Sequence, residues 1–283
     1  NPADYSEDNV PYQPHYFLPV NIESKHKGDF AMIYGFPGRT EQHVTEQMLE
    51  HVMKVDRPKR IAMRAKTLDI IGAAMKSSDL LRIKYASKQA SISNAYKKWI
   101  GQIDGLRRVN ALDIKHKREK AYLEKSLEKE SWGKYNEIIK LLNQNEKKYL
   151  KEELAYLLYV EYVYYGNEGM KLASEAQDFV ESGDTLYKSN KTKFDADLKK
   201  LKSKLAGVKK NFDKETALKI FTALTKIYES EIEEDLKPSI LKKINIDKFS
   251  EGLSKKSYFF NLDKMEALLE KGGSGAAKKL KKD

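Results

Sequence analysis

The side chains able to do chemistry in this 283-residue chain are few and scattered. It has no cysteine, which removes thiol nucleophiles, disulfides and sulfur-ligated metal. Its histidines are His15, His26, His43, His51 and His116. No pair has the i, i+4 spacing by which a helix holds zinc, so surface or packing roles outweigh ligand roles. These residue types mark no catalytic residue, no metal ligand and no cofactor. Gly273-Ser274-Gly275 has the small-residue frame of a nucleophile loop, but a nucleophile elbow needs a flanking apolar strand and a following glycine. Lys271 and Ala276 flank it instead. Gly35-Phe36-Pro37-Gly38-Arg39-Thr40 lacks the Gly-Lys-Ser/Thr ending of a phosphate loop and reads as a strand exit and tight turn. Tyr156, Tyr159, Tyr162, Tyr164 and Tyr165 crowd together. Such rings can stack on bases or sugars, although helix packing with wet hydroxyls is commoner.

One amide differs from these. The run from Tyr85 to Gly101 has helical spacing, yet Asn94 lies inside it. Asparagine is a poor helix-interior residue because its side chain competes for backbone groups. A solvated helix face accounts for it in the plainest way. Its carbonyl oxygen is also a suitable acceptor for an ammonium group, which leaves a functional role open to Asn94 beside the plain one.

The elements that would position such a residue change character near residue 40. Five of seven prolines (Pro2, Pro11, Pro14, Pro19, Pro37) precede it. Proline fixes φ and removes a donor, so the opening reads as loop and strand. Residues 16–22 read as extended, Lys27-Gly28-Asp29 as a turn, and residues 30–36 as an apolar strand. A strand that apolar needs burial on both faces, and the segment offers too few partners to build a sheet alone. We therefore expect its partner strands to lie outside the chain.

From Glu41 the period is helical. Val44, Met48, Val52 and Val55 share a face; Asp56 is expected to cap the next helix, with Pro58 in its first turn, and Ile61, Leu68, Ile71 and Met75 continue one face along it. A single long helix is expected from Asp79 to about Lys129, with Ile92, Tyr96, Trp99, Ile103, Leu106, Val109 and Leu112 as its stripe. Gly101 and Gly105 within it either permit close helix approach or mark a kink. Further helices are expected over 135–165, over 168–180 with Ser182-Gly183 as its stop, from an Asp184 cap to about Leu205, and over 216–232 from an Asp213 cap. Short ones follow Pro238 and Asp263. The reading is a mainly α, elongated antiparallel bundle. Gly272-Gly273-Ser274-Gly275 reads as a flexible stretch before a basic tail.

The formal charge is +11. Lys and Glu interleave through most of the chain, as in Lys117-Arg118-Glu119-Lys120, which is how solvated helix faces read. The alternative is a non-enzymatic basic helical adaptor that binds an anionic partner such as nucleic acid. No apolar run approaches the roughly 20 residues of a membrane span. The first residues have neither an initiator Met nor a signal peptide, so we expect a piece of a longer reading frame.

Several stretches together resemble one family, the bacterial dipeptidyl peptidases of serine-peptidase family 46. They are Asp8-Asn9-Val10-Pro11-Tyr12-Gln13-Pro14 with Tyr16-Phe17-Leu18-Pro19, then Gly28-Asp29-Phe30 through Gly35-Phe36-Pro37-Gly38-Arg39-Thr40, then Tyr85-Ala86-Ser87-Lys88 to Asn94. The resemblance implies a chymotrypsin-like double β-barrel with an inserted α-helical cap that closes the active-site cleft and restricts cutting to N-terminal dipeptides. It divides this chain into residues 1–40 as a barrel-derived strand and loop, 41–271 as the cap, and 272–283 as the tail. It puts the Ser-His-Asp triad outside the chain, which should be inactive alone. It puts on Asn94 the asparagine that holds the substrate's α-amino group. Ala95-Tyr96 depart from the family's aromatic pair after that asparagine, and Lys98 stands where another asparagine is common. It further implies a peptide substrate, the remaining barrel segments as partners, a homodimer of the intact enzyme, and a periplasmic or cell-surface location.

Overall fold

The computed structural model describes residues 8, 10–32, 34–35 and 43–283. The chain divides into two units, Asn1–Gln42 and His43–Asp283. In the first, the described residues form no helix and no strand. The expected turn is there. The Asp29 amide donates to the His26 carbonyl at 3.1 Å, the His26 amide donates to Asp29 Oδ2 at 2.8 Å, and Gly28 takes a φ of 109°. The expected strand is not formed. Phe30, Met32 and Tyr34 are exposed, and Ile33 and residues 36–40, including the Phe36–Thr40 turn, lie outside the described residues. A single extended segment has no ladder to join. The notion of a barrel remnant therefore gains no support from the fold.

The second unit is all helix and connection. Among the described residues it runs α1 (Glu46–His51), α2 (Arg57–Ser77), α3 (Asp79–Arg108), α4 (Ala111–Ser126), α5 (Gly133–Asn136) and α6 (Ile138–Tyr159). It continues with α7 (Glu168–Ser189), α8 (Lys191–Asn211), α9 (Lys214–Glu231), α10 (Ile246–Lys256), α11 (Leu262–Lys271) and α12 (Ser274–Leu280). Two π turns lie within longer helical rods: Val52–Asp56 joins α1 to α2, and Val160–Gly166 prolongs α6. Caps sit where the sequence offers them. Thr45, Asn167, Asp213 and Asn245 accept from the amides three residues on, which satisfies donors that a helix start leaves free.

Four expectations need correction. The long helix from Asp79 breaks at Val109-Asn110, not at Gly101 or Gly105. Asn110 takes the left-handed conformation at φ 50°, which asparagine tolerates better than most residues, and α4 starts afresh. Asp56 does not cap α2. Its carboxylate turns to Arg60 and Arg57. Ser182-Gly183 does not end α7. Ser182 returns its hydroxyl to the Asp178 carbonyl, and the helix runs on to an Asn190 cap. Last, residues 274–280 are a helix rather than a loose tail, with Ala276, Ala277 and Leu280 buried. A Cβ on Gly183 would stand 2.8 Å from the Ala277 methyl. Glycine there lets α12 lie directly on α7.

One apolar cluster runs through α2, α3 and α6 to α12, with Ile71, Leu172, Ala176, Ile220, Leu224, Met265 and Leu269 essentially inaccessible. Aromatic pairs such as Phe179–Phe194 and Phe221–Phe260 fill it. Among the described residues no helix is long and apolar enough to cross a membrane.

Candidate functional site

Asn94 lies in the middle of α3. Its side chain is exposed and has no hydrogen-bond partner among the described residues. A free amide costs nothing in water, so stability does not explain its choice. Ser91 is three residues before it and Ser87 seven, which puts the three on one face of the helix.

The segment that holds Asn94 is fastened from beneath. Arg64 of α2 donates through Nη1 to the Ile92 carbonyl at 3.2 Å. On the other side of Asn94, the Trp99 ring is covered by three guanidinium groups, with Arg57, Arg60 and Arg64 lying 5.0, 4.2 and 4.6 Å from its centroid. Arg64 also lies 4.5 Å from the Tyr165 ring. The ring faces carry negative potential, so each contact is attractive, and more so where water is excluded. The arginines are held by a carboxylate on the second π turn. Glu161 Oε1 accepts from Arg60 Nε and Nη2 at 3.1 and 2.9 Å, and Oε2 accepts from Arg64 Nε at 2.7 Å. Asp56, on the first π turn, adds a longer contact to Arg60 at 3.4 Å. Glu161, Arg64 and Asp56 are at most 5% exposed. Three guanidinium groups face two carboxylates, and two aromatic rings with a backbone carbonyl accommodate the excess charge.

Beside this lies a cleft of about 680 Å³ between α3, the second π turn, and the facing parts of α7 and α8. Three residues of the tyrosine cluster (Tyr156, Tyr164 and Tyr165) line it, with Ser87, Ser91, Lys84, Lys88, Lys171, Glu168 and Asn211. The cluster thus divides its labour. Tyr162 turns inward, stacks on Tyr228 at 5.1 Å and hydrogen-bonds Thr225 at 2.6 Å, and burial pushes its phenol up to about 12. The cleft wall is braced by Lys88, which donates to Glu168 Oε1 at 2.7 Å and to the Gly166 carbonyl at 2.8 Å. Glu168 Oε2 is buried with no hydrogen-bond partner. Tyr85, at the cleft floor, is driven far above the usual phenol range by burial and then by the Glu168 and Asp213 carboxylates. Gly166 closes the π turn because a Cβ there would collide with Leu224 Cδ1.

The cleft offers phenol, hydroxyl, ammonium and carboxylate groups. The two cleft serines have no histidine beside them. Among the described residues no group of three His, Cys, Asp or Glu side chains could hold a metal. His116 pairs with Glu46 and His26 with Asp29, both at the surface. Ser274 opens α12 and belongs to no loop. Of the expected residues, Asn94 lies on the exposed face of α3, outside the lining of the cleft. The charged cluster and the Lys88–Glu168 brace were missed. Their one signal was the run Arg57, Arg60, Arg64, which steps by three and four along α2.

The helical unit thus carries an exposed amide on α3 and, beside it, a cleft lined by three tyrosines. The chain belongs to the peptidase S46 family, which it matches over residues 1–283. It is 30% identical over 291 residues to the Asp/Glu-specific dipeptidyl-peptidase of Flavobacterium psychrophilum, covering 100% of this chain and 39% of that protein. It is 31% identical over 265 residues to dipeptidyl-peptidase 7 of Porphyromonas gingivalis, covering 93% of this chain and 35% of that protein. Its fold is similar to part of the crystal structure of Porphyromonas endodontalis DPP11 in complex with the dipeptide Arg-Glu. The TM-score is 0.72 at 23% identity, covering 100% of this chain and 41% of that one. The chain therefore spans about two fifths of the length of these curated relatives.

Proposed function

We propose that this chain is the α-helical cap of a serine-type dipeptidyl peptidase, in which it closes the active-site cleft and anchors the substrate's N-terminus. Residues 43–283 form the cap, and residues before them connect to barrel segments that hold the Ser-His-Asp triad. Acyl transfer would proceed there, with an oxyanion hole stabilising the developing charge. The cap contributes register. Asn94 Oδ1 accepts a hydrogen bond from the α-ammonium group, and the helices leave no room for further residues beyond it. Dipeptides are then the product. The intact enzyme acts on oligopeptides as a homodimer in the periplasm or at the cell surface.

The observation that carries this reading is Asn94, an exposed amide without partner on a helix segment fixed by buried charges. Membership of the peptidase family supports it. A binding role for the basic faces has less behind it, because many lysines are engaged within their own helices, as in Lys117–Asp113 and Lys219–Glu215.

Asn94→Ala in the full-length enzyme tests the reading. A hydrogen bond to a charged group is worth about 1.5–3 kcal/mol, so kcat/KM on a free-amino dipeptidyl substrate should fall about 10- to 100-fold. Unchanged kinetics would reject the role of Asn94. The 283-residue chain alone should release no dipeptide, and robust hydrolysis by it would reject the cap reading.

A further inference from the structure

The α3 segment that presents Asn94 is held on both sides by the same side chains. Arg64 reaches the Ile92 carbonyl two residues before it. Arg60 and Arg64 lie over the Trp99 ring five residues after it. Neither arginine sits on α3. Both project from α2, and both are oriented by one carboxylate, Glu161, whose side chain is 1% exposed. Glu161 receives three guanidinium donors within 3.1 Å, which fixes the planes of both arginines. It lies on the π turn that also carries Tyr165 into the cleft wall. A π turn widens the helix by a residue and re-aims its side chains, and such turns recur at functional sites.

We propose that Glu161 is a positioning residue: through Arg60, Arg64 and Trp99 it sets the rotation of α3 and so the aim of the Asn94 amide. This rests on the ammonium-anchoring role of Asn94. A hydrogen bond to an ammonium group weakens steeply with misdirection, so a small rotation of α3 costs substrate affinity in the molecules that remain folded. Neutralising Glu161 frees two guanidinium groups from their common acceptor. Arg64 then loses the constraint that directs its Nη1 to Ile92. Trp99 loses the ordered cations above it. Asn94 remains present but is less well aimed.

The test is a double-mutant cycle in the full-length enzyme, reading KM, which does not depend on the fraction of molecules folded. Asn94→Ala, Glu161→Gln and Trp99→Phe are each measured alone. The last two are then combined with Asn94→Ala on the same free-amino dipeptidyl substrate. Glu161→Gln and Trp99→Phe should each raise KM about tenfold with kcat within about twofold, a loss of ground-state binding. In the Asn94→Ala background neither should raise KM further by more than about twofold, because there is no amide left to aim. Trp99→Phe keeps an aromatic ring in place and carries the test by itself if Glu161→Gln does not fold. The proposal is overturned if these variants lower only the amount of active enzyme at unchanged KM. It is equally overturned if their effects multiply in full with that of Asn94→Ala. If Asn94→Ala alone leaves KM and kcat as in the wild type, the anchoring role fails and the proposal with it. If Asn94→Ala raises KM and Glu161→Gln does not, only the positioning role fails.

Discussion

Two regions of the helical unit are buried to a similar degree by opposite means. Around Leu224, Met265 and Leu269 the interior of α7, α8, α9, α11 and α12 is aliphatic and aromatic, and ion pairs such as Lys209–Asp263 and Lys278–Asp184 lie at its solvent edge. Around Trp99, α2 meets α3 and the second π turn through guanidinium groups, carboxylates and rings. The first is held by area and volume, which are forgiving of rearrangement within limits of size. The second is held by direction. Each donor has one acceptor, and loss of one member leaves a charge stranded in low dielectric. A packed hydrocarbon core tells a helix where to lie. A charged cluster also tells it how to be rotated, which is what a helix presenting one amide needs.

The largest expected effect tests that difference directly. Glu161→Gln should lower stability by about 3–5 kcal/mol, read from the denaturant midpoint at constant m. Replacing Glu161, Arg60 and Arg64 together by Leu and Met should recover most of that loss, since buried ion pairs are often matched by apolar groups of similar volume. If the triple variant is as unstable as the single one, the contrast between the regions is false. Next in size is Gly183→Ala at the apolar end. Its Cβ would press on Ala277, so we expect about 1–3 kcal/mol of destabilisation and faster amide exchange confined to α12.

A smaller effect belongs to Tyr162, which joins both regions through its stack on Tyr228 and its bond to Thr225. Its folded phenol is raised from 10.0 to about 12 by burial, so the neutral form is favoured in the fold. The stability this brings is complete below about pH 10 and is lost as pH rises toward about 12. Tyr162→Phe should cost about 1 kcal/mol near neutrality and flatten the alkaline decline, as measured by urea unfolding across that range. The smallest effect is at the break after α3. Asn110→Gly should be neutral or stabilising by a few tenths of a kcal/mol, whereas Asn110→Ala should cost about 1 kcal/mol. Equal thermal midpoints for the two would remove the conformational account of that break.

The same contrast explains what could be read from the sequence. The Asp213 cap and the stripe Ile92, Trp99, Ile103 were legible because caps and apolar period act locally. On α2 the stripe was legible in part: Ile71 is in the core and Leu68 and Met75 pack against it, but the face also holds residues that the pattern left out. The buried face is Arg60, Met63, Arg64, Thr67 and Ile71, and arginine reads as solvent-facing until its carboxylate is known. That carboxylate is 97 residues from Arg64 in sequence. Gly183 was mistaken for a helix end because its purpose, room for Ala277, is tertiary. Asn94 was legible as an anomaly, an amide without local reason. The cleft beside it was half legible, since the tyrosines were visible as a cluster but not which of them turn outward.

The second π turn has a consequence for how this chain tolerates change in length. One residue more or less in an α-helix rotates everything downstream by about 100°. Val160–Gly166 already absorbs such an offset, and it directs Glu161 and Tyr162 inward while Tyr164 and Tyr165 line the cleft. A single-codon deletion there would leave a regular and perfectly stable-looking helix in sequence. It would also turn the carboxylate away from its arginines, so only at outward positions such as Tyr164 should this stretch accept substitutions more readily than insertions or deletions.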